Sequence, residues 1–117
     1  MIVVYGIKTC DTCRKALKWL EAEGIPHRFH DYRQDGAEAA LIDSFIAAFG
    51  TANLFNKSSK TWRGFSEAER KKALDGDGRA LLLADPTVIK RPIFEHQNRF
   101  AMGFREAQKA EIIEWTR

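Results

Sequence analysis

The sequence predicts an α/β fold in which a mixed β-sheet of about four strands carries an inserted block of helices. Near the amino end, a β-branched and aromatic run is followed by a helical pattern and then a second strand-like run. Near the carboxyl end, two short strand candidates are followed by a last helix. Between them, at roughly residues 36–85, apolar spacing and helix-ending signals indicate helices. Residues 1–117 are expected to form a single domain.

The overall composition favours an ordinary globular protein. Of the 117 residues, 44% are hydrophobic, and the net charge of +3 is too small to indicate nucleic-acid binding. There is no apolar run of bilayer-spanning length and no basic amino-terminal region typical of a signal peptide, so we expect no membrane association and a cytoplasmic location. In such a reducing compartment, a single Cys-x-x-Cys is more often catalytic or metal-binding than structural.

Both cysteines of the chain lie where the first predicted strand turns into the first predicted helix. Ile2 to Tyr5 is too short for a helix and is typical of a buried strand. The helix that follows is predicted from a face made by Cys13, Ala16, Leu17 and Leu20, with Gly24 at its end. Cys10 should therefore lie beside the first backbone N–H groups of a helix, which favour a thiolate and lower the pKa of the thiol.

The middle of the chain continues with a second strand and several helices. A strand of mixed polarity is predicted at residues 27–32, and a polar loop is predicted at residues 53–64. Three helices are also predicted here. The first ends at Gly50 and has an apolar stripe made by Ile42, Phe45, Ile46 and Phe49. The second begins with a capping box of Ser66 and Glu69 and ends near Leu74, and the third runs from Arg79 to Ala84, where Asp85-Pro86 stops it.

The carboxyl part of the chain supplies a hairpin and the last helix. Ile93 to Glu95 and Arg99 to Met102 are strand candidates, joined by a turn at His96-Gln97-Asn98. The last helix begins near Arg105, with Ala107, Ala110 and Ile113 as its expected apolar face. A β-α-β unit, a helical block and a β-β-α unit are the parts of a thioredoxin-like sheet with inserted helices.

Cys10-x-x-Cys13 followed by His27-x-x-His30 imitates the order of a zinc finger. The histidine spacing is one residue shorter than the usual minimum, and on a strand the two histidines would point to opposite faces. We therefore expect no metal site.

Several motifs together resemble the ArsC/Spx family, over essentially the whole chain. This family includes glutaredoxin-linked arsenate reductases, the Spx regulators of RNA polymerase, and a group of small uncharacterised reductases. The motifs are Tyr5-Gly-Ile-Lys-Thr-Cys10, Lys90-Arg91-Pro92-Ile93, His30-Asp31-Tyr32, Asn56-Lys57 with Thr61-Trp62-Arg63, and Met102-Gly103-Phe104. The last three look most like the uncharacterised group.

The resemblance implies roles for particular residues. Cys10 matches the family's nucleophilic cysteine, and Arg91 matches the arginine before a proline, here Pro92, that is cis in thioredoxin-like folds. Arg91 would offer a planar, permanent charge to an oxyanion or to a carboxylate of glutathione. Lys8 and Arg14 would also favour the Cys10 thiolate if they lie close to it. Lys8, Lys57, Arg63 and Pro92 are the expected substrate-binding residues.

Two departures from the arsenate reductases affect the expected reaction. Those enzymes hold the oxyanion with three arginines, but only Arg91 has a clear counterpart; the other two positions fall near Lys57 and near Phe104. The position of Cys13 is not a cysteine in those enzymes, whereas Spx-type proteins carry a Cys-x-x-Cys redox switch. Cys13 would resolve a mixed disulfide on Cys10, or it would be a small buried core residue.

The expected function is therefore that of a thiol-disulfide oxidoreductase linked to glutathione or glutaredoxin. Its substrate would be a small-molecule or protein disulfide, with glutathione as co-substrate and no tightly bound cofactor. Two alternatives remain open. One is an arsenate reductase with an incomplete arginine site, and the other is a Spx-like redox sensor that binds RNA polymerase.

Overall fold

The computed structural model describes all 117 residues, and these fall into two compact units. The first unit combines residues 1–32 with residues 91–117, and the second comprises residues 33–90. The predicted helical insertion at 36–85 lies within the second unit. That residues 1–117 act as one domain stays a prediction.

The first unit contains a four-stranded sheet in the order β2-β1-β3-β4. Its strands are β1 (Ile2–Gly6), β2 (His27–Asp31), β3 (Ile93–His96) and β4 (Arg99–Met102). β1 pairs in parallel with β2 and antiparallel with β3, which pairs antiparallel with β4. The prediction of a mixed sheet of about four strands is confirmed, although the second strand ends at Asp31, one residue before the predicted end at Tyr32.

β1 is an inner strand, between β2 and β3, and every one of its residues is buried. Val4 lies opposite Phe29 on one side and Phe94 on the other, so a β-branched side chain packs between two aromatic neighbours. The β3–β4 hairpin turns at Gln97 and Asn98, which adopt φ values of 51° and 63°. Positive φ at both positions is typical of the tight turns that match the twist of a hairpin.

Helices α1 (Asp11–Ala22) and α7 (Glu106–Trp115) complete the first unit. The predicted apolar face of the last helix is wrong, because Ala107, Ala110 and Ile113 are exposed. The buried residues of α7 are instead Ile112 and Trp115. These two large side chains, three positions apart, remove more apolar surface from water than two alanines and an isoleucine. They belong to a core cluster with Ile2, Val4, Ala16, Leu20, Ile25, Phe94 and Ala101.

The second unit is helical. It contains α3 (Ala39–Phe49), α4 (Lys60–Arg63), α5 (Glu67–Leu74) and α6 (Arg79–Ala84), and a short helix α2 (Tyr32–Asp35) begins at the last residue of the first unit. The predicted helices at α3, α5 and α6 are confirmed. Gly50 ends α3 with a φ of 83°, which glycine adopts without steric cost. None of the helices combines the length and apolar composition that crossing a bilayer requires.

The prediction of a polar loop at residues 53–64 is wrong for its last part, because α4 forms within it. Ser59 caps the start of this helix, and its side chain accepts a hydrogen bond from Trp62 N at 3.1 Å. Trp62 is buried, with its ring centroid 5.6 Å from that of Phe55 and 5.8 Å from that of Phe65. Aromatic packing within the second unit therefore makes a helical turn of a segment whose composition is polar.

We predict that Ser66→Ala lowers the free energy of unfolding by about 1 kcal/mol. Ser66 Oγ accepts from Glu69 N at 3.1 Å, and Glu69 Oε1 accepts from Ser66 N at 2.8 Å, so alanine removes half of the capping box. The measurement is chemical denaturation monitored by circular dichroism. Ser44→Ala is the matched control, because Ser44 Oγ donates to Ala40 O within an exposed part of α3. Equal destabilisation by both substitutions would contradict the prediction.

Candidate active site

Cys10 lies at the junction between β1 and α1. It is the residue before the first residue of α1, with an extended backbone (φ −84°, ψ 121°), and it is half-buried. Cys10 N donates to Ile7 O at 3.1 Å, and Cys10 O accepts from Arg14 N at 3.0 Å, so the main chain turns directly from strand into helix. This geometry puts the thiol beside the backbone N–H groups that α1 leaves without intrahelical partners.

The loop before Cys10 is held by a buried carboxylate at the end of the neighbouring strand. Asp31 is 4% exposed, and its Oδ2 accepts a hydrogen bond from Lys8 N at 3.2 Å. β1 and β2 are parallel, so their carboxyl ends meet at the same edge of the sheet. A main-chain hydrogen bond to a buried charged acceptor restrains the loop that carries the thiol.

Cys13 lies in the first turn of α1 and is buried against β1. A side chain at Gly6 is incompatible with this position, because an added Cβ would overlap Cys13 Sγ and would lie 3.5 Å from Phe29. Gly6 is the last residue of β1, where glycine permits the close approach of helix to strand. The sulfur of Cys13 therefore occupies the space that the side chain of any other residue at position 6 would need.

The pKa of Cys10 is lowered, as the sequence predicts from its position. Burial alone would raise this pKa, but hydrogen bonds from the backbone N–H and the thiol of Cys13, together with one from the backbone N–H of Thr12, outweigh burial. The charge of Arg91 lowers it further. Most of the stabilisation of a Cys10 thiolate therefore comes from the first turn of α1.

The pKa values of the two thiols are shifted in opposite directions from that of an ordinary cysteine. Burial raises the pKa of Cys13 to about 12, and a negative charge on Cys10 raises it as well. A backbone hydrogen bond from Ile7 and the charge of Arg91 oppose this increase without cancelling it. In the reduced protein, Cys10 is therefore the more acidic of the two thiols, and Cys13 is the protonated neighbour that donates a hydrogen bond to it.

Arg91 and Pro92 lie at the start of β3, beside the two cysteines. The Arg91–Pro92 peptide bond is cis, the isomer that the resemblance implies. Pro92 is buried, and its carbonyl accepts a hydrogen bond from Gly103 N at 2.9 Å. Arg91 is half-buried, and its charge acts on both sulfurs. The structure therefore brings Cys10, Cys13 and Arg91 together.

The other predicted site residues are placed differently. The Lys8 side chain is exposed, and Arg14 pairs with the exposed Asp11; neither positive charge is among the groups that lower the pKa of Cys10. Lys57 and Arg63 are exposed residues of the second unit, so their part in binding stays a prediction. No group of three or more His, Cys, Asp or Glu side chains is arranged to hold a metal ion.

Sequence reasoning assigned no role to three residues around the thiols: Gly6, Asp31 and Tyr32. The glycine ending a strand-like run was a usable signal, because it predicts a close backbone approach. The contacts of Asp31 and Tyr32 join positions distant in the sequence, so spacing alone carried no signal for them.

Residues 5–112 match the model of the ArsC family. An uncharacterised protein of Haemophilus influenzae is 45% identical over 109 residues, covering 92% of this chain and 95% of the relative. The global transcriptional regulator Spx of Lactiplantibacillus plantarum is 23% identical over 108 residues, covering 91% of this chain and 81% of the regulator.

Solved structures show the same fold. A protein named YffB superposes with a TM-score of 0.85 at 33% identity, covering 95% of this chain and 97% of that one. An arsenate reductase (ArsC) related protein from Brucella melitensis superposes with a TM-score of 0.75 at 36% identity, covering 97% and 94% of the two chains. The predicted thioredoxin-like α/β fold class is confirmed.

We predict that Arg91→Gln raises the pKa of Cys10 by up to about one pH unit, because it removes a positive charge that favours the thiolate. The measurement is the ultraviolet absorbance of the thiolate as a function of pH, in a Cys13→Ser background that leaves one titrating thiol. Arg91→Lys should keep most of the effect of the charge.

Arg14→Gln is the matched control, since it removes an equal charge from α1, and Arg14 is not among the groups that act on the pKa of Cys10. If Arg14→Gln and Arg91→Gln shift the titration equally, the specific action of Arg91 is refuted.

Proposed function

The chain belongs to the ArsC family, and on that premise we propose that it is a thiol-disulfide oxidoreductase with Cys10 as the nucleophile. One observation carries the proposal: the Cys10 thiol has a lowered pKa at the first turn of α1, within hydrogen-bonding distance of a second thiol. Only a thiolate attacks a disulfide efficiently, and a thiol with a pKa near the ambient pH combines ionisation with nucleophilicity. The proposed reaction needs a reducing compartment, for which we propose the cytoplasm.

In the first step, the Cys10 thiolate attacks one sulfur of a disulfide substrate. A new bond forms between Cys10 and that sulfur, the substrate disulfide breaks, and the other sulfur departs as a thiolate that takes a proton from solvent. The backbone N–H groups of Thr12 and Cys13 and the charge of Arg91 stabilise the attacking thiolate. Cys10 is half-buried, so it is the more accessible of the two cysteines to a partner.

In the second step, Cys13 attacks Cys10 and releases the bound sulfur as a thiol. The enzyme is left with a Cys10–Cys13 disulfide and has passed two electrons to the substrate. Two molecules of glutathione, or one glutaredoxin dithiol, then restore both thiols and become oxidised themselves. The hydrogen bond between the two thiols in the reduced protein supports Cys13 in this resolving role.

Glutathione mixed disulfides are the substrate class that we propose. Arg91 would hold a glutathione carboxylate through its guanidinium, because this planar group offers two parallel N–H donors. The main chain of Pro92 would face the bound thiol. Positive charge for the anionic glutathione would come from Lys8, Lys57 and Arg63. We propose no tightly bound cofactor.

Arsenate reduction is a weaker candidate. Arg91 is the only guanidinium whose charge acts on Cys10. Phe104, near the position where a third arginine is expected, packs with its ring centroid 5.7 Å from Trp19 and 6.1 Å from Phe94. One guanidinium offers much less stabilisation to a multiply charged oxyanion than three.

A redox-sensing regulator is the second candidate, favoured by the likeness to a protein named Spx and by the Cys10–Cys13 pair. In that function, formation of the Cys10–Cys13 disulfide would change binding to RNA polymerase. Binding of purified polymerase by the oxidised but not the reduced chain would support it. The absence of polymerase binding in either state would remove it.

We predict that Cys10→Ser abolishes reduction of a mixed disulfide of glutathione and mercaptoethanol, because serine cannot form the covalent intermediate. Cys13→Ser should still perform the first step and then accumulate an adduct on Cys10 that intact-mass spectrometry detects. Turnover is measured as oxidised glutathione produced, with glutathione as the reductant.

The comparison reaction contains the wild-type chain, arsenate, glutathione and glutaredoxin. We expect no rate of arsenate reduction above background. Unchanged disulfide turnover in Cys10→Ser would overturn the proposed nucleophile. An arsenate rate exceeding the disulfide rate would instead reassign the substrate.

A further inference from the structure

Gly6 is a glycine whose backbone conformation does not require one. It ends β1, pairs with Asp31 of β2, and is not among the glycines of the chain that adopt a positive φ. Within a strand, glycine has no side chain to pack and loses more conformational freedom on folding than other residues. Alanine could take up the same main-chain conformation at a lower entropic cost. The reason for glycine is therefore the space around it.

That space is filled by the sulfur of Cys13. A Cβ at position 6 would overlap Cys13 Sγ and would lie 3.5 Å from Phe29 Cε1. The distance to Phe29 is already that of ordinary van der Waals contact, so an added methyl group has no room to move toward this ring. Cys13 is 0% exposed, so the sulfur and position 6 meet in the closed interior of the first unit.

An alanine at position 6 would displace the Cys13 sulfur, because the main chain around it is held on several sides. β1 pairs with both β2 and β3, and Lys8 N in the loop after β1 donates to Asp31 Oδ2 at 3.2 Å. The sulfur moves by rotation about a single side-chain bond, which has only a few staggered positions. To regain ordinary separation from a methyl group, the sulfur would have to move by roughly an ångström or more.

We propose that Gly6 is a positioning residue for the resolving step. By leaving room for the Cys13 sulfur, it holds that sulfur next to Cys10 and makes the chain a dithiol enzyme. With a side chain at position 6, an external thiol would have to resolve the mixed disulfide instead. The inference rests on the proposed function, because it assigns a residue to the second of its two steps. Gly6 thereby decides between internal resolution and resolution by glutathione.

A small displacement of the Cys13 sulfur decides the outcome because the geometry of a disulfide is narrow. Cys10 precedes the first residue of α1 and Cys13 is the third residue of that helix, the two positions that also meet in a capping box. A disulfide between them needs Cβ atoms about 3.5–4.5 Å apart and a defined torsion about the sulfur–sulfur bond. Misplacing a reacting group by about 1 Å can lower a rate about a hundredfold.

The two routes of resolution leave different products. In internal resolution, Cys13 loses its proton and bonds to Cys10, and the electron pair of the Cys10–substrate bond leaves with the departing sulfur, which takes up a proton. In external resolution, a glutathione thiolate bonds to the substrate sulfur, and the electron pair of the same bond returns to Cys10. The first route leaves a Cys10–Cys13 disulfide, and the second leaves a reduced Cys10 and a mixed disulfide of glutathione and the substrate.

The test separates the two steps with one equivalent of dithiobis(nitrobenzoate) per chain, followed by stopped-flow absorbance without glutathione. Attack by Cys10 releases a first thionitrobenzoate, and displacement by Cys13 releases a second. At a pH that ionises Cys10, Gly6→Ala should retain the first release and slow the second roughly tenfold to a hundredfold. Intact-mass spectrometry should then find the thionitrobenzoate adduct on the variant and not on wild type.

Glutathione added after the first release supplies the second readout. The rate of the second release should be independent of glutathione concentration in wild type, because Cys13 acts within the chain. In Gly6→Ala the same rate should rise in proportion to glutathione concentration. A role of Gly6 in stability alone would not change this dependence.

Gly78→Ala is the matched control, because it also forces a methyl group onto buried atoms. Its Cβ would lie 2.6 Å from Phe55 Cζ and 2.9 Å from Ala73 Cα, all within the second unit. Gly78→Ala should lower the temperature of thermal unfolding while both releases keep their wild-type rates. Its second release should also remain independent of glutathione concentration.

Cys13→Ala supplies a background in which the overlapping sulfur is absent. Adding Gly6→Ala to Cys13→Ala should lower the unfolding temperature much less than adding it to wild type, because residues in contact have non-additive effects on stability. This comparison remains decisive where Gly6→Ala alone does not fold. Equal losses in the two backgrounds would overturn the inference, since the added side chain would then meet something other than the Cys13 sulfur.

An unchanged second release in a folded Gly6→Ala chain would overturn the inference and leave the proposed function intact. A second release slowed equally by Gly78→Ala would overturn it as well, because the effect would then follow from lost stability. A first release in wild type no faster than that of an unperturbed thiol would instead refute the proposed function itself.

Discussion

The hydrogen bonds from the first turn of α1 to the sulfur of Cys10 are the interaction on which the rest of the site depends. Burial works against ionisation of this thiol, and the N–H groups of Thr12 and Cys13 reverse the outcome. Their effect requires a fixed main chain, because a donor that moves away ceases to stabilise the charge. Asp31 restrains the loop on one side through Lys8 N, and Gly6 allows α1 to approach β1 on the other. The sheet and the helix thus act together to set the acidity of one sulfur.

The opposite acidities of Cys10 and Cys13 give the proposed reaction its order. Cys10, the more acidic thiol and half-buried, would attack the substrate first, and the protonated, buried Cys13 would react only after Cys10 has formed the mixed disulfide. Arg91 favours a thiolate at either position, so it serves both steps. A protonated neighbour also contributes a hydrogen bond to the Cys10 thiolate, which ties the acidity of the nucleophile to the presence of the second thiol.

Sequence reasoning predicted the parts of the fold that depend on local pattern. The strand–turn–helix around Cys10 and the capping box of α5 are encoded within a few residues each, and both form as expected. The segment that forms α4 looked like a polar loop because its helix depends on burial of Trp62 against Phe55 and Phe65, which its polar composition does not indicate. Likewise, α7 buries Ile112 and Trp115 rather than the face chosen from alanine spacing. Within the site, the role of Asp31 follows from β2 lying beside β1, which no local pattern specifies.

The most direct test of this account is the rate at which iodoacetamide alkylates Cys10 as a function of pH, with peptide mapping to locate the adduct. Cys10 should react while Cys13 does not, and the rate should reach half its maximum below pH 8.5, the approximate midpoint of an ordinary thiol. Free glutathione, measured in parallel, supplies the reference for an unperturbed thiol. A Cys10 profile with its midpoint at or above that of glutathione would contradict the account.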